Sequence, residues 1–115
     1  DITCAFEHGS IPATSEILST AAYRIAQEAL TNVSRHAAAD HVDVRLGLNN
    51  GFLTLAVKDD GRGFDTDALG ENEGLGLAGM NERANLAGGH LEIISSPGTG
   101  TRVSFKVPLA GAEMI

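Results

Sequence analysis

From Ser15 to about Ala38 the chain holds neither Gly nor Pro, and Ile17, Leu18, Ala21, Ala22, Ile25, Ala29, Leu30 and Val33 recur three and four positions apart. That period puts them along one side of a helix and predicts an amphipathic helix over the stretch. The period then drops to two. Val42, Val44, Leu46 and Leu48 alternate with Asp43, Arg45 and Gly47, and the alternation resumes at Leu53, Leu55 and Val57. Each run reads as a strand with one face in the core. Asn49-Asn50-Gly51 between them is a hairpin turn, because Asn and Gly accept the positive φ a tight turn demands, so residues 42–58 form an antiparallel hairpin. Ahead of the helix, residues 2–6 predict a short edge strand, and 8–14, with Pro12 and Thr14, a loop entering the helix. Residues 59–76 are polar and glycine-rich and predict a long loop; an irregular loop of that length in a small domain is usually functional. A second helix runs from about Leu77 to Leu86 and stops at Gly88-Gly89. Strands over 90–94 and 101–107 flank a turn at 95–100, with Val103, Phe105 and Val107 on one face, and 110–115 form a tail.

Strand, helix, hairpin, loop, helix, hairpin is the order of an α+β two-layer sandwich, with a mixed, mainly antiparallel sheet and both helices on one face. At 115 residues the chain makes one domain, 1–115, with its core over about 2–109. A net charge of −7 with one tyrosine and no tryptophan argues against nucleic acid, which calls for a basic face and aromatic stacking. An acidic chain that binds a polyphosphate does so locally, through backbone N–H groups and a divalent cation. No apolar run approaches the roughly 20 residues of a membrane span, and no secretory signal pattern opens the chain. The one cysteine, Cys4, is expected as a buried small hydrophobe and is compatible with a reducing cytoplasm. The histidines lack zinc-site spacing.

Candidate chemistry begins at Gly74-Leu75-Gly76-Leu77-Ala78-Gly79, which fits the dinucleotide pattern G-x-G-x-x-G. A Rossmann loop follows directly on a buried strand, whereas Gly74 follows the acidic stretch 65–73, so the dinucleotide reading fails on context. No Walker A sequence occurs. The glycines still lead into a helix N-terminus, which favours an anion. Two other places complete a site. On the long helix, Glu28, Asn32 and Arg35 or His36 share one side; a carboxylate and a carboxamide one turn apart suit Mg²⁺ and its waters, while on spacing alone an ordinary solvated face is the simpler reading. After the hairpin, Asp59-Asp60-Gly61-Arg62-Gly63-Phe64 offers an acid at a strand end, able to accept from an adenine amino group, and glycines that let backbone approach a ring; alone, a turn is the simpler reading.

Taken in order, E-x-x-x-N on a helix, D-x-G-x-G after a strand, G-x-G-L before a helix and G-T before the last strand resemble the GHKL ATPases of the Bergerat fold. The stretches 23–37 (YRIAQEALTNVSRHA), 59–64 (DDGRGF), 74–93 (GLGLAGMNERANLAGGHLEI) and 95–108 (SSPGTGTRVSFKVP) are similar to the catalytic domains of bacterial sensor histidine kinases of the NarX, DesK and DegS type. The resemblance implies that the domain binds ATP and Mg²⁺ and supplies the γ-phosphate to a histidine. It implies Asn32 as the Mg²⁺ ligand and Glu28 as the catalytic acid that polarises water or the attacking group. Arg35 and His36 are implied as phosphate contacts, Asp59 as the adenine-reading acid, and Asp60 as a solvent-facing neighbour. Gly61 and Gly63 let the chain pass the base, Gly74 and Gly76 meet the triphosphate, and Thr101 supports the adenine-site acid. Residues 65–73 correspond to the lid, with Asp65, Asp67, Glu71 and Glu73 solvated. The phosphoacceptor, a histidine followed by an acid, is missing, since the four histidines here precede Gly, Ala, Val and Leu. The implied partners are a dimerisation and histidine-phosphotransfer domain of the same parent and a LuxR-like response regulator. The implied setting is the cytoplasm, with the isolated domain a monomer and the parent a homodimer, membrane-anchored or not. The alternatives are a stand-alone serine kinase of the anti-sigma type, which shares the fold, and a binding module with a decayed site.

Overall fold

The computed structural model describes residues 3–9, 16–67 and 75–108. Strand β1 (Thr3–His8) leads to α1 (Glu16–Asn32), which passes directly into a π-helical turn, Val33–Ala37. Strands β2 (His41–Asn49) and β3 (Phe52–Asp59) form the hairpin expected, with Asn50 and Gly51 both at positive φ. Helix α2 (Leu77–Leu86), β4 (His90–Ser95) and β5 (Thr101–Pro108) complete the order.

The five strands form one sheet, β1-β2-β3-β5-β4. β1 runs parallel to β2, and the other pairs are antiparallel. The sheet is mixed and mainly antiparallel, as expected; which strands make the parallel pair was not legible in the sequence. That pair requires a crossover, and α1 supplies it, since parallel neighbours cannot be joined by a tight turn. Both helices pack on one face of the sheet: α1 against β3 and β5, α2 against β4 and α1.

The core lies between the layers. Leu18, Ala21, Ile25 and Ala29 of α1 are buried at spacings of three and four, and Val33 and Ala37 continue the stripe through the π turn. They face Leu53, Leu55 and Val57 of β3, Val103, Phe105 and Val107 of β5, and Met80 and Ala84 of α2. Ile25 and Phe105 are fully buried. Truncating a buried aromatic of this kind to Ala costs about 3–5 kcal/mol.

Three expectations are corrected here. The helix does not run unbroken to Ala38; α-helix ends at Asn32, and Ala38 turns the chain at φ 52°. Ile17 is exposed, because it falls one position off the buried stripe. Cys4 is exposed, on a strand at the edge of the sheet. Among the described residues no helix is long and apolar enough to cross a membrane.

Candidate nucleotide site

A cleft opens where the end of α1, the end of β3 and the start of α2 meet. Asn32, His36, Asp59, Arg62, Gly63, Phe64 and Thr101 line it, over an apolar floor that includes Ala29, Val33, Val57 and Val103. Its volume of about 160 Å³ is far above the roughly 10–15 Å³ one water requires. The lining combines apolar side chains with a few polar ones, the pattern of a small-molecule site.

Asp59 lines the cleft. It is the last residue of β3 and continues the inward alternation of Leu53, Leu55 and Val57, so the β-period carries a carboxylate into the core. Only 6% of its surface is exposed. Its Oδ1 accepts from the Gly61 N–H at 2.8 Å, and the Thr101 N–H on the neighbouring strand also donates to the carboxylate. Burial pushes the Asp59 carboxyl above its ordinary value; the two N–H groups hold it down in part, and the charge of Asp60 adds a small upward push. A buried acceptor lining a cleft invites a donor from a ligand.

Asn32, the last residue of α1, also lines the cleft. Its Nδ2 donates to the Leu75 carbonyl at 2.7 Å. That bond fixes the carboxamide and leaves Oδ1 buried with no hydrogen-bond partner. Buried polar atoms are almost always satisfied, so an orphan oxygen on a cleft wall calls for an explanation. A neutral, unpartnered oxygen on a residue that lines the cleft suits Mg²⁺, which takes one or two protein oxygens and completes its shell with phosphate and water. Among the described residues no group of three or more His, Cys, Asp or Glu side chains is placed to hold a metal by itself.

The π turn decides which polar residue joins Asn32. A π turn holds more residues per revolution than an α turn, so the residue four on comes round rather than the residue three on. His36 lines the cleft; Arg35 is exposed and does not. Glu28, half-buried one turn before Asn32, also lies outside the cleft. Its carboxylate packs against Gly76, in a neighbouring groove with Arg24, Gln27 and Arg83. Gly76 caps the N-terminus of α2, so Glu28 sets a negative charge where the helix dipole favours one.

The glycines of the 59–64 loop have a reason within the fold itself. A Cβ on Gly61 would collide with the Ala37 carbonyl, and the Ala37 oxygen already accepts from the Arg62 N–H at 2.7 Å. Gly63, at φ 63°, passes the Ser96 carbonyl too closely for any side chain. Both let the loop dock between the π turn and the β4–β5 turn; Gly63 also borders the cleft, and Gly61 does not. Gly74 and most of the stretch read as the lid lie outside the described residues. Asp60 is exposed but engaged: Oδ1 accepts from the N–H groups of Asp40 and His41 at 2.9 Å each, and Oδ2 meets His41 Nδ1 at 3.1 Å. The backbone N–H of His41, then its ring, hold the Asp60 carboxyl below its usual value.

Sequence reasoning missed Arg62, Phe64 and Ser95. The signal for Arg62 was available, a lone cation between the two loop glycines. Ser95 gave none, since Ser-Ser-Pro-Gly reads as a turn. Its Oγ accepts from the Phe64 N–H at 2.9 Å and contacts Thr101 Oγ1 at 2.8 Å. The Thr101 hydroxyl thus meets Ser95, while its backbone N–H serves Asp59.

Comparison with known proteins agrees with this geometry. The family described as histidine kinase-, DNA gyrase B-, and HSP90-like ATPase matches residues 18–111. The sensor histidine kinase LiaS of Bacillus subtilis is 46% identical over 91 residues, covering 79% of this chain and 25% of LiaS. The histidine-protein kinase/phosphatase DegS of the same organism is 39% identical over 92 residues, covering 78% of this chain and 24% of DegS. This chain thus spans about a quarter of the length of these relatives. The blue-light activated histidine kinase of Erythrobacter litoralis superposes with a TM-score of 0.82 at 28% identity, covering 99% of this chain and 37% of that one. The fold, the cleft and the match over residues 18–111 lead to one conclusion: the chain belongs to the histidine kinase-, DNA gyrase B- and HSP90-like ATPases.

Proposed function

We propose that this domain binds Mg-ATP in the cleft and presents the γ-phosphate to a histidine on a separate dimerisation domain of the same parent protein. The observation that carries the reading is a pair of polar groups lining one cleft: a buried carboxylate, Asp59, and a carboxamide, Asn32, whose Oδ1 has no partner. Asp59 accepts from the adenine amino group, with Thr101 beside it. Asn32 Oδ1 holds Mg²⁺, which when bound neutralises charge on the phosphate oxygens. His36 meets a phosphate from within the cleft, and Arg35 adds its charge from the surface of the same turn. Gly74 and Gly76 are assigned to the triphosphate, which reaches from the cleft toward the groove where Gly76 meets Glu28. Glu28 polarises the attacking imidazole. A histidine nitrogen forms a bond to the γ-phosphorus as the bond to the ADP oxygen breaks, and the ring proton leaves to solvent. The protein contributes position and electrostatics more than covalent chemistry.

The parent is a homodimer in the cytoplasm, and its phosphohistidine serves a LuxR-like response regulator. Incubated alone with Mg-ATP, the chain is expected to form no phosphohistidine. Mixed with the separate helical domain of such a kinase, it is expected to label that domain's histidine. Stoichiometric phosphohistidine on this chain alone would contradict the proposal; phosphoserine on an added partner protein would favour a serine kinase of the same fold.

A further inference from the structure

Ser95, Thr101 and Asp59 form one row across the sheet. Ser95 pairs with Thr101 across β4 and β5, and Thr101 pairs with Asp59 across β5 and β3. A hydroxyl has one proton to give and two lone pairs with which to accept. Ser95 Oγ lies 3.0 Å from the Gly100 carbonyl, which can only accept, so the Ser95 proton is used there. The Phe64 N–H can only donate, and it takes one lone pair of Ser95. The remaining contact, 2.8 Å to Thr101 Oγ1, is then a bond in which Thr101 donates.

The consequence falls on the ligand. With its proton committed to Ser95, the Thr101 hydroxyl can offer the cleft only lone pairs. Asp59 beside it is an acceptor as well. We infer that Ser95 is a specificity-determining positioning residue: it fixes the direction of the Thr101 hydroxyl so that this part of the cleft accepts and does not donate, selecting a purine that carries an amino group there, directly or through one water. This rests on the proposed ATP site and adds the residue that sets its polarity. Without Ser95 the Thr101 hydroxyl rotates freely, and part of the discrimination is lost.

The test is titration of the chain with ATP and with purine riboside triphosphate, which lacks the 6-amino group. The wild-type chain is expected to prefer ATP. In Ser95→Ala that preference shrinks about three- to tenfold, the worth of one neutral hydrogen bond, whereas Ser95→Thr, which keeps the hydroxyl, retains it. Thr101→Val, which removes the acceptor itself, shrinks it at least as much, and Ser95→Ala combined with Thr101→Val shrinks it no further than Thr101→Val alone, because Ser95 acts only through the Thr101 hydroxyl. A merely structural role would weaken both nucleotides together, so an intact preference in Ser95→Ala overturns the inference whether or not the two affinities fall. Additive losses in the double variant overturn it too. If the wild-type chain bound neither nucleotide, the ATP site itself would be wrong and this inference with it.

Discussion

Burial works against the charge of Asp59, and the N–H groups of Gly61 and Thr101 work for it. Asp59→Asn removes the charged acceptor and is expected to weaken ATP by about 10- to 150-fold, the range for a hydrogen bond to a charged group; calorimetry showing unchanged affinity would place the base elsewhere. The raised pKa of Asp59 means the folded chain takes up this proton more readily than the unfolded one. Asp59 alone therefore adds stability as pH falls through the range just above 3.8. Asp60 has the opposite sign. Its folded pKa is lowered, so its contribution is fully present above the unfolded value of 3.8 and is lost as pH falls below it. Asp60→Asn is expected to lower the thermal midpoint at neutral pH, with the gap to the wild-type chain closing as pH drops below 3.8. A gap independent of pH would show that the ties from Asp60 to Asp40 and His41 do not depend on its charge.

Among the elements, the π turn and the 59–64 loop act as one unit. The turn offers the Ala37 carbonyl, the loop answers with the Arg62 N–H, and Gly98 N–H closes the other side on the Arg62 carbonyl at 2.7 Å. This packing sets the width of the cleft between Asn32 and Asp59. Gly63→Ala forces both a positive φ and a collision with the Ser96 carbonyl, and is expected to cost about 1–3 kcal/mol in a urea titration and to weaken ATP with it. Gly47→Ala, where a Cβ meets open space, is the control and should stay within about 0.5 kcal/mol. Equal effects at the two glycines would mean that the loop is not clamped as described.

At the scale of the whole molecule, the layers were legible in the sequence because each has its own period: Val42 to Val57 alternate, and Leu18 to Val33 recur every three or four. What was not legible depends on pairing between distant segments. The parallel pairing of β1 with β2, the swing of His36 rather than Arg35 into the cleft, and the hub at Ser95 leave no mark on a local pattern. Even the expected glycines have a reason that no local pattern carries, because the carbonyls they avoid, on Ala37 and Ser96, lie far along the chain. The cleft joins residues from the end of α1, the loop after β3 and the start of β5, so only the assembled fold can bind nucleotide. The most direct measurement is calorimetry of ATP binding with and without Mg²⁺, on the wild-type chain and on Asn32→Ala, with NAD as the control. The account predicts Mg²⁺-dependent ATP binding by the wild-type chain, no NAD binding, and loss of the Mg²⁺ dependence in Asn32→Ala. A folded sample that binds no ATP, or an Asn32→Ala chain that keeps the full Mg²⁺ dependence, would contradict it.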